Sequence, residues 1–257
     1  MADAVVAVAS KPIWLDLSSS DPGASRDFYS KLLGWQVEVN PDPQYGGYAL
    51  AKVGGKDVAG IGPKMMAEAP TAWLIYIGTN DAEALTAKVK AAGGNVIAPA
   101  MTVGEQGRMA VIQDPSGAII GLWQPIVMAG FAADAANGFG WAELSARGLD
   151  KAVPFYAAVF GWDTKQDDMG EGQPPYTEFL LGGDSIAGAM EMSAGVPAGV
   201  PSYWMAYFEV GDVDGSFGKA LELGAKEMVV PQDFSGGRFA ILTDPQGAAF
   251  GLLKTAR

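Results

Sequence analysis

The residues best suited to chemistry are two tryptophans, each followed two positions later by a carboxylate. Trp14 precedes Asp16, and Trp141 precedes Glu143. Residues two apart in a β-strand point to the same face, so each pair would place an aromatic plane beside an acid. Such a surface suits a flat ligand that carries a positive charge or a hydroxyl group.

Further aromatic residues extend this candidate surface. Tyr48 and Tyr176 could donate a hydroxyl group to a ligand, and Trp73 and Trp204 would line the adjoining strands. We therefore predict the following ligand-binding residues: Trp14, Asp16, Tyr48, Trp73, Trp141, Glu143, Tyr176 and Trp204.

Each of these assignments has a purely structural alternative. The tryptophans could fill a closed cavity, and the tyrosines could pack at a sheet edge. Asp16 and Glu143 could form ion pairs with Arg108 and Arg238 instead of contacting a ligand.

The chain contains no histidine and no cysteine. It therefore lacks the imidazole and thiolate ligands that borderline metal ions prefer, as well as any thiol chemistry. No nucleophile–base pair is evident, and no carboxylates cluster at a spacing suited to an all-oxygen metal site. Acid–base chemistry would depend on Asp16 or Glu143, or on Tyr48 or Tyr176. We expect neither a metal site nor a cofactor.

An internal repeat organises these residues. Trp14 and Trp141 are 127 residues apart, and so are Gly34-Trp35 and Gly161-Trp162. The segment that begins at Gly107 recurs 130 residues later. The repeat predicts a first domain at residues 11–125, an alanine-rich linker at 126–137 and a second domain at 138–254.

Within each copy, hydrophobic periodicity and turn residues predict the order β-α-β-β-β twice. Residues 13–17 and 73–77 are expected to be strands, and residues 24–33 and 82–92 helices, the first of them closed by Gly34. We therefore predict an α+β fold in which tandem βαβββ modules form two cupped mixed sheets. The two copies would form an intramolecular pseudo-dimer.

This order resembles that of the vicinal oxygen chelate superfamily. The resemblance rests on Phe28-Tyr29 followed by Gly34-Trp35, and on Asp-Pro-x-Gly before the last strand of each copy. The group includes glyoxalase I, extradiol dioxygenases, and fosfomycin and bleomycin resistance proteins. Two-copy, glyoxalase-like actinobacterial proteins are the most similar type. The superfamily contains both enzymes and binding proteins, so the fold alone does not determine the function.

The resemblance implies where metal ligands would lie in a metal-dependent member. The first-strand histidine position corresponds to Trp14 and Trp141, and the mid-sheet position lies at or beside Trp73 and Trp204. The position of the last-strand glutamate corresponds to Gly121 and Gly251, so neither copy has the ligand set.

Composition excludes several classes of function. The net charge of −12 argues against binding to nucleic-acid phosphates. No stretch approaches the length of a membrane span, and the N-terminal residues do not form a convincing signal peptide. We expect a cytoplasmic protein that is a monomeric pseudo-dimer or a weak homodimer.

These observations favour a metal-free protein that sequesters or carries a cationic aromatic small molecule, such as an antibiotic. Bleomycin resistance proteins of the superfamily act in this way. The alternative is a metal-independent tailoring enzyme, a lyase, isomerase or hydroxylase-type protein, with Asp16 or Glu143 as acid or base. A third interpretation is an interaction protein whose cup is filled by its own side chains.

Overall fold

The computed structural model describes residues 8–133, 135–170 and 174–256. Most of the N-terminal stretch considered for a signal peptide, and Asp134 of the predicted linker, lie outside these ranges. Within them, no helix combines the length and the apolar character needed to cross a membrane.

The two copies have matching sets of strands. In the first copy they are β1 (Pro12–Ser19), β2 (Gln36–Val39), β3 (Ala49–Val53), β4 (Lys56–Pro63), β5 (Ala72–Gly78), β6 (Asn95–Val103), β7 (Gly107–Gln113) and β8 (Ile119–Pro125). In the second copy they are β9 (Phe139–Ala146), β10 (Asp163–Asp167), β11 (Tyr176–Leu181), β12 (Asp184–Glu191), β13 (Tyr203–Glu209), β14 (Lys226–Phe234), β15 (Gly237–Thr243) and β16 (Ala249–Thr255).

Each copy also has two longer helices. These are α1 (Pro22–Leu33) and α2 (Ala82–Ala91) in the first copy, and α3 (Leu149–Phe160) and α4 (Val213–Glu222) in the second. A short 3-10 helix, Pro43–Tyr45, precedes β3.

The strands form two mixed eight-stranded sheets with the same topology. Their orders are β2-β3-β4-β1-β5-β8-β7-β6 and β10-β11-β12-β9-β13-β16-β15-β14. The predicted α+β fold, built from tandem βαβββ modules, is therefore confirmed.

Local sequence signals explain the boundaries of the first helix. The Asp21 carboxylate accepts a hydrogen bond from the Ala24 backbone N–H (3.0 Å), and Pro22 occupies the first turn. Gly34 ends the helix in the left-handed conformation, with φ of 74°. The side chains of Phe28 and Tyr29 are buried along one face of this helix.

In every module, the first strand pairs in parallel with the last. At one equivalent position of every module, the register places a residue of the first strand opposite a glycine of the last strand. These four pairs are Asp16–Gly60, Tyr76–Gly121, Glu143–Gly188 and Tyr207–Gly251.

The chain also divides into two compact units, which differ from the two sequence copies. One unit comprises Met1–Trp14, Ile75–Gly130 and Ala142–Trp204, and the other comprises Leu15–Leu74, Phe131–Trp141 and Met205–Arg257. Each unit thus combines one module from each copy. The domain boundaries at residues 125 and 138 come from the sequence repeat, and they stay a prediction.

Candidate functional site

The two faces of each sheet have different surroundings. Leu15 and Leu17 of β1, and Ala59 and Ile61 of β4, are fully buried, and α1 packs against β4. Asp16 alternates with these residues and points to the opposite face. The candidate site therefore lies on the sheet face that the helices do not cover.

Asp16 and Tyr48, predicted separately, are brought together in the structure. The Tyr48 hydroxyl donates a hydrogen bond of 2.7 Å to Oδ1 of Asp16. The tyrosine crosses directly above Gly60, where a β-carbon would collide with both the hydroxyl and the carboxylate. Glycine is thus required for this contact, which we call the Asp16 dyad.

The second copy repeats the arrangement with a longer acid. The Tyr176 hydroxyl donates a hydrogen bond of 2.9 Å to Oε2 of Glu143, and it crosses above Gly188. This pair is the Glu143 dyad. Both acids and both tyrosines are partly exposed, so each dyad is a polar site at a surface that solvent can reach.

The tryptophans of the first strands share these faces but differ in exposure. Trp14 is two residues before Asp16 and only 1% exposed. Trp141 is two residues before Glu143 and is partly exposed. Protein atoms therefore cover Trp14, whereas a ligand can reach part of Trp141.

The expectation that Trp73 and Trp204 line the same face is wrong. The Trp73 indole Nε1–H donates to the hydroxyl of Tyr29 on α1 (2.9 Å), and that of Trp204 donates to Tyr156 on α3 (2.7 Å). Both indoles are only 7% exposed and lie in the aromatic core. Both tryptophans therefore point to the helix-covered face of their sheet, because successive residues of a strand point to opposite faces.

These core tyrosines continue into buried hydrogen-bonded chains. Tyr29 donates to Oδ2 of Asp244 (3.1 Å), and Tyr156 donates to Oδ2 of Asp114 (2.8 Å). Burial, and then the Asp244 charge, raise the pKa of Tyr29 well above its usual value. Burial and the Asp114 charge do the same to the pKa of Tyr156, and burial raises the pKa of Asp244.

The alternative that Arg108 and Arg238 neutralise the dyad acids is also wrong. The Arg108 guanidinium approaches Glu83 of α2 at 3.6 Å. Arg238 pairs with Asp214 of α4 at 2.7 Å and with Asp233 of β14 at 2.8 Å. Both arginines therefore have their ion-pair partners on other elements.

Sequence reasoning did not identify Tyr76 and Tyr207, which occupy the corresponding register positions of the remaining modules. Their rings lie directly over Gly121 and Gly251, where a β-carbon would collide with the ring atoms. The signal was present in the sequence, since each tyrosine follows a repeated tryptophan by three residues. Both tyrosines are only 4% exposed.

Apolar side chains surround both of these tyrosines on the same sheet face. The strand register defines a Tyr76 face, made of Tyr76, Met109, Val111, Ile119 and Trp123. It likewise defines a Tyr207 face, made of Tyr207, Phe234, Phe239, Ile241 and Leu253.

The Tyr207 face is the more aromatic of the two. The rings of Tyr207 and Phe239 meet edge to face at 6.4 Å, and those of Phe234 and Phe239 do so at 5.9 Å. Phe234 is 41% exposed. Such a partly exposed array of rings can take a further flat ring in stacked or edge-on contact.

The residues at the implied metal-ligand positions do not fit a divalent ion. Gly121 and Gly251 carry no donor side chain, and the rings of Tyr76 and Tyr207 fill the space above them. In the part of the chain that the structure describes, no three histidine, cysteine, aspartate or glutamate side chains converge. The arrangement offers hydrogen bonding, negative charge and aromatic contact instead.

Comparison with known proteins shows which family has this architecture. Residues 11–122 and 138–252 both match the family described as the Glyoxalase/Bleomycin resistance protein/Dioxygenase superfamily. The chain is 39% identical over 253 residues to "Putative glyoxylase CFP32" of Mycobacterium tuberculosis (strain CDC 1551 / Oshkosh), covering 95% of each chain. It is 37% identical over 258 residues to "Anthracycline biosynthesis protein DnrV" of Streptomyces peucetius, covering 95% of this chain and 92% of the relative.

Solved structures show the same fold at low sequence identity. The Mn(II)-bound glyoxalase from Novosphingobium aromaticivorans matches 97% of this chain and 83% of its own, with a TM-score of 0.67 and 16% identity. The 2,3-dioxygenase LapB from Pseudomonas sp. KL28 matches 98% of this chain and 94% of its own, with a TM-score of 0.65 and 15% identity. With two matched segments that cover most of its length, the chain belongs to the Glyoxalase/Bleomycin resistance protein/Dioxygenase superfamily.

Proposed function

We propose that the protein binds a cationic aromatic small molecule without a metal ion and sequesters or carries it. The ligand would be an antibiotic or an antibiotic precursor. Its flat ring system would lie on the sheet face opposite the helices, and its polar groups would meet one of the two tyrosine–carboxylate dyads.

The observation that carries the proposal is the repetition of one polar contact. Tyr48 with Asp16, and Tyr176 with Glu143, each cross a glycine on the open sheet face. A carboxylate that accepts a tyrosine hydroxyl is held in place, and it has further lone pairs with which to accept from a ligand. Its negative charge favours an ammonium or hydroxyl group of the ligand.

The overall charge and the relatives support the same function. A net charge of −12 attracts cations over a long range. The similarity to "Anthracycline biosynthesis protein DnrV" and "Anthracycline biosynthesis protein DauV" suggests polycyclic aromatic compounds as the ligand class. The exposed members of the Tyr76 and Tyr207 faces, Ile119 and Phe234, would contact such rings by apolar and aromatic packing.

Tryptophan fluorescence titration with a panel of cationic aromatic antibiotics, anthracyclines included, tests the proposal. Saturable quenching that leaves the ligand mass unchanged is the expected result. Because Trp141 is partly exposed next to the Glu143 dyad, Trp141→Ala should weaken binding. The matched control is Trp204→Phe, since Trp204 lies in the core. Absence of saturable quenching by every compound would overturn the proposal.

A second candidate function is a metal-independent tailoring enzyme. The 2.7 Å contact between the Tyr48 hydroxyl and Asp16 favours it, since a hydrogen-bonded phenol and carboxylate can pass a proton to or from a bound substrate. A changed ligand mass after incubation would support this function. Asp16→Asn or Glu143→Gln should then abolish turnover and keep ligand affinity, whereas a pure binding protein shows no product with any variant.

A further inference from the structure

The second copy has a carboxylate that the first copy lacks. Glu209 is the last residue of β13 and lies two positions after Tyr207, so both residues share one sheet face. The equivalent position of the first copy, 131 residues earlier, is Gly78. The two copies therefore differ in charge at the end of corresponding strands.

In the first copy this position is covered by the chain itself. The Gly78 backbone N–H donates to the Lys11 carbonyl at 3.0 Å, and the Glu209 N–H makes the matching bond to the Gly138 carbonyl at 3.0 Å, so the copies differ in what lies beyond this bond. A β-carbon at Gly78 would lie 2.7 Å from the Ala9 carbonyl oxygen. The first copy therefore has no room there for an acidic side chain.

In the second copy the same position opens into a cavity of about 620 Å³. Glu209 and Thr255 line it from the strand ends, and Asn137 at the end of the linker and Phe139 at the start of β9 line it from another side. Phe139 stacks on Phe131 at 4.8 Å, which gives this side an aromatic wall. The volume lies within the range typical of small-molecule sites.

Neighbouring groups orient the Glu209 carboxylate. Its Oε1 accepts hydrogen bonds from the Thr255 backbone N–H (3.2 Å) and from the Thr255 hydroxyl (3.0 Å). These two donors fix the orientation of the carboxylate. Lys254 also lines the cavity. A carboxylate held by a hydroxyl group suits a ligand group that carries an ammonium beside hydroxyl oxygens, as an amino sugar does.

We propose that Glu209 binds the ammonium group of an amino sugar, or of a comparable polar amine, that is attached to the aromatic ligand. The inference rests on the proposed function and adds a polar subsite to it. Tyr207 lies two residues before Glu209 on β13, and the exposed Phe234 of the Tyr207 face would contact the rings. Since Gly78 replaces the acid in the first copy, each chain holds one such amine.

Isothermal titration with an anthracycline that carries an amino sugar, and with its sugar-free aglycone, tests this subsite. Glu209→Gln should weaken binding of the amino-sugar compound roughly ten- to hundredfold, as expected for one hydrogen bond between charged groups. Affinity for the aglycone should stay within about twofold of wild type, since the aglycone lacks the ammonium. The matched control is Glu222→Gln, the same charge change at an exposed residue of α4.

The possible outcomes separate the two proposals. If Glu209→Gln binds both compounds as wild type does, the Glu209 subsite is refuted and the proposed function stands. If wild type binds neither compound, both the proposed function and the subsite fail. If Glu209→Gln folds poorly, Glu209→Asp replaces it, because aspartate holds its carboxylate one methylene farther back. It should likewise weaken binding of the amino-sugar compound and leave binding of the aglycone unchanged.

Discussion

At the scale of single residues, glycines decide what the candidate site can contain. Gly60 and Gly188 leave space for tyrosine hydroxyls that reach an acid, and Gly121 and Gly251 leave space for whole tyrosine rings. The same register position thus carries an acid in two modules and a phenol in the other two. The backbone repeats in all four modules, but the side chain at this position differs. The position therefore forms a hydrogen-bonded dyad in two modules and places a tyrosine ring over a glycine in the other two.

Gly60→Ala should break the Asp16 dyad. The added methyl group collides with the Tyr48 hydroxyl and the Asp16 carboxylate, so one of them must move. We expect a loss of about 1–3 kcal/mol in the free energy of unfolding, as for other overpacked positions. Urea denaturation measures this loss.

Gly218→Ala is the control for this substitution, because a β-carbon at Gly218 of α4 meets no atom within 4 Å. It should leave stability unchanged or raise it by up to about 1 kcal/mol. Equal destabilisation by both substitutions would contradict the proposed role of Gly60.

The buried tyrosines predict how stability depends on pH. Folding raises the pKa of Tyr29 and Tyr156, so the folded chain keeps protons that the unfolded chain releases near pH 10. The free energy of unfolding should therefore fall as the pH rises above about 10. Denaturation at several pH values between 9 and 11 measures this dependence. The free energy of unfolding should fall less steeply with pH in the double variant Tyr29→Phe/Tyr156→Phe than in wild type. The same slope in both proteins would show that these hydroxyls do not control alkaline unfolding.

At the scale of elements, helix capping differs between the modules. Asp21 caps α1 through a side-chain hydrogen bond, whereas Asp212 precedes α4 without one. Asp21→Ala should lower the free energy of unfolding by about 1 kcal/mol. Asp212→Ala is the matched control and should cost clearly less, as judged by thermal unfolding. A larger loss from Asp212→Ala would refute the capping argument.

The sequence predicted most elements because local signals specify them. The periodicity predicted α1 at residues 24–33 and α2 at 82–92, close to the observed bounds. The sequence did not reveal which face each strand residue occupies, because both Trp73 and Tyr76 lie in one uninterrupted apolar run that is buried on both faces.

For the candidate site, the sequence predicted residues but not their contacts. The dyad acids and tyrosines could be selected from spacing, but their mutual hydrogen bonds depend on strand order and on a glycine in a third strand. Glu209 was missed because the repeat emphasises residues common to both copies. A search for differences between the copies would have found it, since Gly78 occupies the matching position.

At the scale of the whole molecule, each compact unit depends on both copies. Within one unit, Tyr29 of the first copy donates to Asp244 of the second, and within the other, Tyr156 donates to Asp114. The repeated sequence therefore does not coincide with either compact unit. Each buried tyrosine hydroxyl thus takes its carboxylate partner from the other copy.

Cutting the chain within the linker tests this interdependence. Fragments 1–131 and 132–257 should each lack cooperative unfolding when expressed alone, because every unit then loses half of its elements. Mixing the two fragments should restore the near-ultraviolet circular dichroism of the intact chain. Native-like, cooperative unfolding of either fragment by itself would contradict the account.

The central claim is that an aromatic, cationic ligand binds without a metal ion. The most direct measurement is calorimetric titration of the full chain with an amino-sugar anthracycline, before and after treatment with a chelator. We predict saturable binding with the same affinity in both samples, because tyrosines fill the space over Gly121 and Gly251. Binding that is absent in both samples, or that chelation abolishes and Mn(II) restores, would contradict the claim.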